Sequence, residues 1–434
     1  MTISQERRRG SRQGGAGVAL GVLVAVGISS QAQAAGFQLR EQSSEGLGNA
    51  FAGSTAKAYN LSTIYYNPAG MTRLSGNQTA GSATWIAPVS KFSGSNTFAN
   101  GRQTVGSQGD DAIEDAAVGA TYLFWDAKPD LKFGLALTSP YGLRSNYEKD
   151  WVGRYHALES SITNINLSPS IAYRINDQLS IGGAIQLAYV DVTLSQALNL
   201  SSLGFADGRT KVNGHDFGVG FDIGALYEFT PQTRVGVNWR SEMNYTLKGN
   251  AEYRVPAALA AAMATLRDTD AQADLTTPDT VSLGVYHEIT PQWAVMSDIA
   301  WTNWSDFDDI RIKYTDGRPQ SITEENWRDT WFFSVGTTYH LNQTHAFNFG
   351  VAYDQGAVYD KYRTARIPDS NRYWVSAGYT YDFGNGDNIN LGYTHIFADA
   401  AKINETGSVA SAGTLRGEYD SHVDIFSASF VYKF

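Results

Sequence analysis

The chain has 434 residues, no cysteine and a formal net charge of −10 at pH 7. Without cysteine it has no disulfides and no thiol chemistry. An acidic chain that lacks a basic patch with interleaved aromatic residues is also a poor partner for nucleic acid. Its 24 Tyr, 20 Phe, 10 Trp and 43 Gly suit the aromatic girdles of a membrane barrel or a large secreted β-sandwich, so composition alone leaves the class open.

The first 34 residues have the order of a secretory signal peptide. Arginines between positions 7 and 12 precede an apolar run from about residue 18 to 28, and Ala32-Gln33-Ala34 offers a cleavage site. The run is too short to cross a bilayer core of about 30 Å as a helix, which disfavours the alternative of a membrane anchor. We predict general secretory export, with cleavage after Ala34.

Residues 35–75 do not follow a strand pattern. Glycines interrupt short helical pieces, and Tyr65, Tyr66, Pro68 and Met71 cluster at the end of the segment. These apolar groups need burial, and the strands predicted after them enclose more space than their own side chains fill. We predict that residues 35–75 plug the lumen of a barrel; a flexible periplasmic extension is the alternative.

From about residue 76 to the C-terminus, segments of ten or more residues alternate in polarity and are separated by turns. From Trp331 to Leu341, for example, every second residue is Trp, Phe, Val, Thr, Tyr or Leu. A period of two with aromatic residues near the ends is typical of membrane-crossing β-strands. We count about 14 such segments, near 76–91, 115–125, 130–147, 160–175, 178–195, 214–229, 233–253, 279–289, 292–314, 329–341, 345–358, 372–383, 387–404 and 419–434.

Short turns alternate with long connections between these segments, which predicts an all-β, antiparallel barrel over residues 76–434 with both termini in the periplasm. One long connection reads as an alanine-rich helix over 256–267, with Leu259, Met263 and Leu266 on one face. It would either cover the mouth or merely pack on its neighbours. The last strand ends at Phe434, which we predict to be the signal that the barrel-assembly machinery recognises.

Several short motifs of the sequence resemble those of a known family. Three lie at the N-terminus, at 35–39, 46–53 and 66–71 (AGFQL, GLGNAFAG and YNPAGM). Colinear matches follow at 139–143, 151–155, 166–170, 236–241, 302–305 and 367–369. The chain resembles the FadL family of outer-membrane transporters for long-chain fatty acids, which includes the aromatic-hydrocarbon transporters of the TodX type.

The resemblance implies a 14-stranded barrel plugged by an N-terminal hatch, to which Gly36, Phe37, Asn67, Pro68 and Ala69 would belong. It also implies capture of ligand on outer loops, a lumenal apolar site and sideways exit at a kink of the third strand. Carried over by position, the kink residues are Ser139, Pro140, Tyr141, Gly142 and Leu143. The sequence permits a kink there, because proline cannot donate to a ladder and glycine weakens pairing; an ordinary bulge at the rim is the alternative.

Substrate identity stays open at this stage. The basic residues that hold a fatty-acid carboxylate in the family lie outside the matched motifs, so Arg154, Lys313 and Arg328 are candidates that could equally be solvated or ion-paired. A lumen without a cation would favour a neutral hydrocarbon, since an unpaired buried carboxylate is costly. The expected partners are a long-chain fatty acid or other hydrophobic small molecule and the lipid of the outer membrane, around a monomer.

No enzyme motif appears in a suitable context. The seven histidines form no HExxH pair, and no GxSxG, Walker A or dinucleotide fingerprint is present. We therefore predict a protein without catalytic residues, metal or cofactor. Two other functions remain as alternatives: an outer-membrane hydrolase assembled from distant strands, and a general porin, against which the plug-like segment argues.

Overall fold

The computed structural model describes residues 36–434. The predicted signal peptide over 1–34 and its cleavage after Ala34 lie outside these residues. No helix within 36–434 is long and apolar enough to cross a membrane.

Fourteen antiparallel strands form the wall of a closed barrel, as predicted. Each strand pairs with the next, and the first closes the barrel on the last from Gln78 opposite Lys433 to Thr97 opposite Thr414. The strands are β1 (Gln78–Thr97), β2 (Ala116–Trp125), β3 (Leu131–Thr138 and Gly142–Asn146), β4 (Glu159–Arg174), β5 (Leu179–Leu198), β6 (Gly208–Thr230), β7 (Thr233–Arg240 and Met243–Arg254), β8 (Thr269–Thr277 and Thr280–Thr290), β9 (Trp293–Thr302 and Asp309–Tyr314), β10 (Ser321–Glu324 and Thr330–His340), β11 (His345–Asp354), β12 (Arg372–Asp382), β13 (Asn388–Ala398 and Ala401–Thr406) and β14 (Thr414–Lys433).

Side chains alternate along each strand between an apolar face on the outside of the barrel and a more polar face toward the lumen. In β4 the outward residues Leu167, Ile171 and Tyr173 are 39–48% exposed, while the inward Asn166 and Ser168 are buried. This is the pattern expected of a barrel whose outer face meets lipid.

Several strands are longer on their outer side than the sequence pattern indicates. β6 begins at Gly208 rather than near 214, β8 at Thr269 rather than near 279, and β14 at Thr414 rather than near 419. These extensions carry mixed polarity, so they show no clean period of two, and they are held by pairing such as Leu198 opposite Gly208.

The predicted alanine-rich helix over 256–267 is shorter than expected. It is an α-helix over Ala257–Ala262 followed by a 3₁₀ turn over Ala264–Leu266. No residue of the α-helix is buried, and Met263 is exposed. A short exposed helix gains little from packing, because most of the stability of a helix comes from burying one face.

Residues 36–75, called here the N-terminal segment, fold inside the barrel. They form α1 (Ser44–Gly48), α2 (Thr63–Tyr66) and a 3₁₀ helix (Pro68–Arg73). The Ser43 side chain caps α1 by accepting from Gly46 N at 3.1 Å, and Asn67 caps the 3₁₀ helix by accepting from Ala69 N at 3.1 Å. These local caps explain why short helices form in a glycine-rich stretch.

Glycines of the wall let the N-terminal segment approach the strands. A Cβ atom at Gly182, Gly236 or Gly350 would overlap the segment's backbone at Pro68 to Ala69, at Thr55 and at Asn49 respectively. Glycine is the residue that allows such a close backbone contact. The wall and the segment are therefore fitted to each other around the lumen.

Arginines of β7 hold the middle of the N-terminal segment. Arg240 pairs with Asp222 at 2.9 Å and donates to Tyr65 O at 2.5 Å, and Arg234 donates from Nε to Ala56 O at 2.8 Å. All three side chains are buried. Charged donors bonded to buried carbonyls are costly to separate, so this part of the segment is firmly anchored.

Candidate functional site

An apolar chamber lies in the outer half of the lumen, between β3 to β9 and the loop after β11. It encloses about 730 Å³ of empty space, counting the part that opens to solvent. Its apolar lining is Leu143, Ile162, Val192, Leu194, Val212, Leu247, Leu275, Phe307, Ile310, Ile312 and Ile367.

Arg366 is the basic side chain that lines this chamber. It belongs to the loop after β11 and is only 9% exposed. Nη2 donates to Gln196 Oε1 at 2.8 Å, and Nη1 lies 3.3 Å from both Ser195 O and Ser160 Oγ. Desolvation lowers the pKa of the guanidinium, and the nearby carboxylates of Glu405 and Glu325 oppose that shift. The group stays charged at neutral pH and gives the chamber one cationic point.

A polar cavity, called here the mouth, adjoins the chamber at Arg366. This second cavity encloses about 920 Å³, and Arg366 lines both spaces. His156, Lys361, Arg363 and Glu405 are among its polar groups. Arg366 therefore lies at the boundary between the polar mouth and the apolar chamber.

At its inner end, the chamber meets an aromatic cage around Phe37. The ring of Phe37 lies 4.8 Å from Trp304, 5.7 Å from Phe307, 5.8 Å from Trp327 and 5.9 Å from Tyr141. Phe37 is completely buried. It belongs to the same buried cluster as the chamber residues of β3 to β8, so it packs between the chamber lining and Tyr141 of the kink.

β3 is interrupted where the sequence predicted a kink. Thr138 pairs with Asn166 and Gly142 pairs with Thr163, so Ser139, Pro140 and Tyr141 face only two residues of β4. Such a three-against-two mismatch bends a strand. The interruption lies at residues 139–141, between two paired stretches of β3.

Residues 36–42, called here the arm, pair with this interruption. Leu39 N donates to Pro140 O at 2.8 Å, and Gly142 N donates to Phe37 O at 2.8 Å. The Gln42 side chain donates to Ser139 O at 2.9 Å. Backbone groups of β3 that lose their place in the wall are thus satisfied by the arm.

β2 and β3 are not paired beside the kink, and this interruption of the ladder is called here the gap. Pairing of these strands runs only from Thr121 opposite Leu137 to Trp125 opposite Phe133. Further out, the strands meet again where Arg144 pairs with Glu114 at 2.7 Å and Ile113 forms a bridge with Ser145. Residues 116–120 of β2 (AAVGA) form one edge of this gap. Four of the five side chains at that edge are alanine or glycine.

The other residues singled out from sequence lie in different places. Gly36 and Asn67 to Ala69 are buried in the N-terminal segment, and a Cβ atom at Gly36 would overlap Trp327. Leu143 lines the chamber. Phe434 follows β14 and donates its N–H to Asn77 O at 2.9 Å.

None of the three basic residues considered from sequence lines the chamber. Arg154 pairs with Asp207 at 2.8 Å, and Lys313 pairs with Asp274 at 2.8 Å. Arg328 donates to Gly356 O at 2.9 Å. Arg366 went unnoticed in the sequence, because it sits in a long loop and only the fold returns that loop to the lumen. Its position just before the matched motif 367–369 was the available signal.

Within residues 36–434, one group of acidic side chains could meet a single cation. Oxygen atoms of Glu242, Asp279 and Asp306 lie within 4.8 Å of one another. Asp279 already accepts from Trp239 Nε1 at 2.9 Å. None of the three lines the chamber.

A closed barrel of antiparallel strands with an apolar outer belt has the architecture of a bacterial outer-membrane protein. The family described as "Outer membrane protein transport protein (OMPP1/FadL/TodX)" matches residues 25–434. The chain therefore belongs to this family, and its place is the outer membrane.

Individual relatives agree with this assignment. The "Long-chain fatty acid transport protein" of Salmonella typhi is 30% identical, over 96% of this chain and 98% of the relative. That of Escherichia coli K12 is 29% identical over the same shares. The crystal structure of a Pseudomonas aeruginosa FadL homologue superposes with a TM-score of 0.87 at 24% identity, covering 92% of this chain and all of that one. The Pseudomonas putida toluene transporter TodX gives 0.69 at 16% identity, over 93% of this chain and 99% of that one.

Proposed function

We propose that the chain takes up a long-chain carboxylic acid, such as a fatty acid, and releases it sideways through the wall. The observation that carries this proposal is the apolar chamber with a single buried cation, Arg366, at its wet end. A chain buried there gains roughly 0.8 kcal/mol per methylene. The guanidinium offers a charged donor to the acid group.

The route follows the contacts described above. A ligand enters at the polar mouth and settles in the chamber with its acid group at Arg366. Phe37 blocks the way from there to the gap between β2 and β3. Withdrawal of the arm joins the chamber to the gap, and an exit into lipid keeps the apolar surface out of water. The anchored remainder of the N-terminal segment acts as the plug.

A neutral hydrocarbon is the second candidate. The hydrogen bonds from Arg366 to Gln196 and Ser195 favour it, because they satisfy the guanidinium without a ligand. Among the solved structures, the neighbour TodX carries the description toluene transporter. The two candidates use the same chamber and differ only in what Arg366 contributes.

Replacing Arg366 distinguishes a carboxylic acid from a neutral hydrocarbon as the substrate. Arg366→Leu should weaken oleate binding to the purified barrel about 10-fold to 150-fold, since a hydrogen bond to a charged group is worth about 1.5–3 kcal/mol. Toluene binding should not change. Arg363→Leu is the matched control, because Arg363 lines the mouth and not the chamber. Unchanged oleate binding in a folded Arg366→Leu variant would favour the hydrocarbon.

The exit is tested at the kink. Gly142→Arg should place a long side chain at the gap and stop oleate uptake, while binding in the chamber persists. Gly142→Ala is the matched control and should transport. Uptake at the wild-type rate by a correctly folded Gly142→Arg variant would refute the lateral route and return the ligand's path to the plug.

The remaining partners follow from the barrel itself. We propose that the barrel works as a monomer in outer-membrane lipid, and that the barrel-assembly machinery reads the terminal strand through Phe434. Phe434 is 61% exposed and stacks on Tyr432 with ring centroids 5.9 Å apart. An exposed aromatic end is accessible to an assembly factor.

A further inference from the structure

A trough crosses the lipid-facing side of the wall and ends at the gap. It spans about 1220 Å³ of open space over strands β11 to β14, β1 and β2. Among its lining residues, Ala117 lies on the stretch of β2 that borders the gap, while Ala83 and Ala428 lie on the two strands beyond it. The trough therefore reaches the β2 edge of the gap.

The register explains why the wall is hollow there. Ala83 of β1 lies opposite Gly119 of β2 on one side and opposite Ala428 of β14 on the other. Three adjacent outward positions thus carry no more than a methyl group. Two residues further out, the equivalent positions are Ala117, Trp85 and Phe426. A row of small residues beneath a row with two large aromatic rings makes a groove that runs across the strands.

The trough lies in the outer part of the apolar belt. Above the aromatic row, Asp424 accepts from the Tyr393 hydroxyl at 2.7 Å and lies 2.8 Å from His395 Nδ1. His422 stacks on His395 with ring centroids 5.8 Å apart. Polar groups on the outer face of a barrel belong near the headgroups rather than in the hydrocarbon core. The trough therefore runs just below the outer interface.

We propose that this trough receives the alkyl chain of the substrate as it leaves the gap and lays it along the barrel surface in the outer leaflet. The inference rests on the proposed lateral exit and adds a binding surface beyond it. A thin chain fits a row of alanine and glycine, and Trp85 and Phe426 shield it from above. Each methylene group of the alkyl chain that leaves the gap then contacts the trough before it contacts bulk lipid.

The matched variants fill the trough without touching the lumen. Ala83→Phe combined with Ala428→Phe should slow oleate uptake at least fivefold and leave oleate binding in the chamber unchanged. Ala225→Phe adds the same ring to the outward face of β6, away from the trough, and should transport normally. Uptake at the wild-type rate in the folded double variant overturns the proposal.

Photolabelling identifies the occupant. A palmitate probe with a diazirine at its chain end, added from outside, should label β14 and β1 near Ala428 and Ala83. Labelling should disappear in Gly142→Arg, which closes the gap. Persistent labelling in a Gly142→Arg variant that has lost uptake would mean that the trough fills from the membrane, and would overturn the proposal while the lateral exit stands. Wild-type uptake by Gly142→Arg would refute the lateral exit itself.

Discussion

Phe37→Ala tests whether the arm is the movable part of the site. The ring of Phe37 meets four aromatic rings at 4.8–5.9 Å. At about 0.5–1.5 kcal/mol for each contact, these pairs contribute roughly 2–6 kcal/mol. A buried Phe→Ala change costs about 3–5 kcal/mol in other proteins. A value near 3 kcal/mol would raise the population of a withdrawn arm on the order of 100-fold.

Hydrogen exchange measures that population. The amides to follow are Leu39 N, bonded to Pro140 O, and Gly142 N, bonded to Phe37 O. Both should exchange on the order of 100-fold faster in Phe37→Ala, because local opening governs their exchange. Phe92→Ala is the control, since Phe92 is also buried but packs on Trp151 and Tyr419. Equal exchange of both amides in wild type and Phe37→Ala would refute the role of the cage.

Three further predictions concern the plug, assembly and pH. Deleting residues 36–75 should turn a poorly conducting barrel into an open pore in planar bilayers, and unchanged conductance in a folded deletion variant would contradict the plug. Removing Phe434 should reduce the heat-modifiable, folded form recovered from outer membranes; normal recovery would count against an assembly signal. Burial raises the pKa of Glu325, which lies between the two stretches of β10, from 4.5 to about 8. The folded state therefore favours the neutral form of this carboxyl group. The contribution of this group to stability is fully present below pH 4.5 and is lost as pH rises through about 8. In Glu325→Gln, the unfolding midpoint should therefore depend less on pH over that window. An unchanged dependence of the midpoint on pH would rule out Glu325 as the cause.

The wall could be read from the sequence to a large extent. Fourteen segments and their alternating turns were visible because a strand with one face in lipid and one in the lumen must alternate. The same logic failed at the outer extensions of β6, β8 and β14, where both faces meet water or loops and no period is imposed. Pro140 and Gly142 indicated a weak point in β3, because proline cannot donate to a ladder and glycine weakens pairing.

The site depended on the tertiary structure. The motif at 35–39 singled out Gly36 and Phe37 without showing what surrounds them. The cage around Phe37 comes from Tyr141, Trp304 and Trp327, which are far apart in the chain and meet only in the closed barrel. Arg366 was missed for a related reason, since nothing local in a long loop shows that it returns to the lumen. The trough likewise needs Ala83, Gly119 and Ala428 in one register. Sequence fixes what each residue can do locally, through periodicity and backbone limits, whereas closure of the barrel decides which distant residues become neighbours.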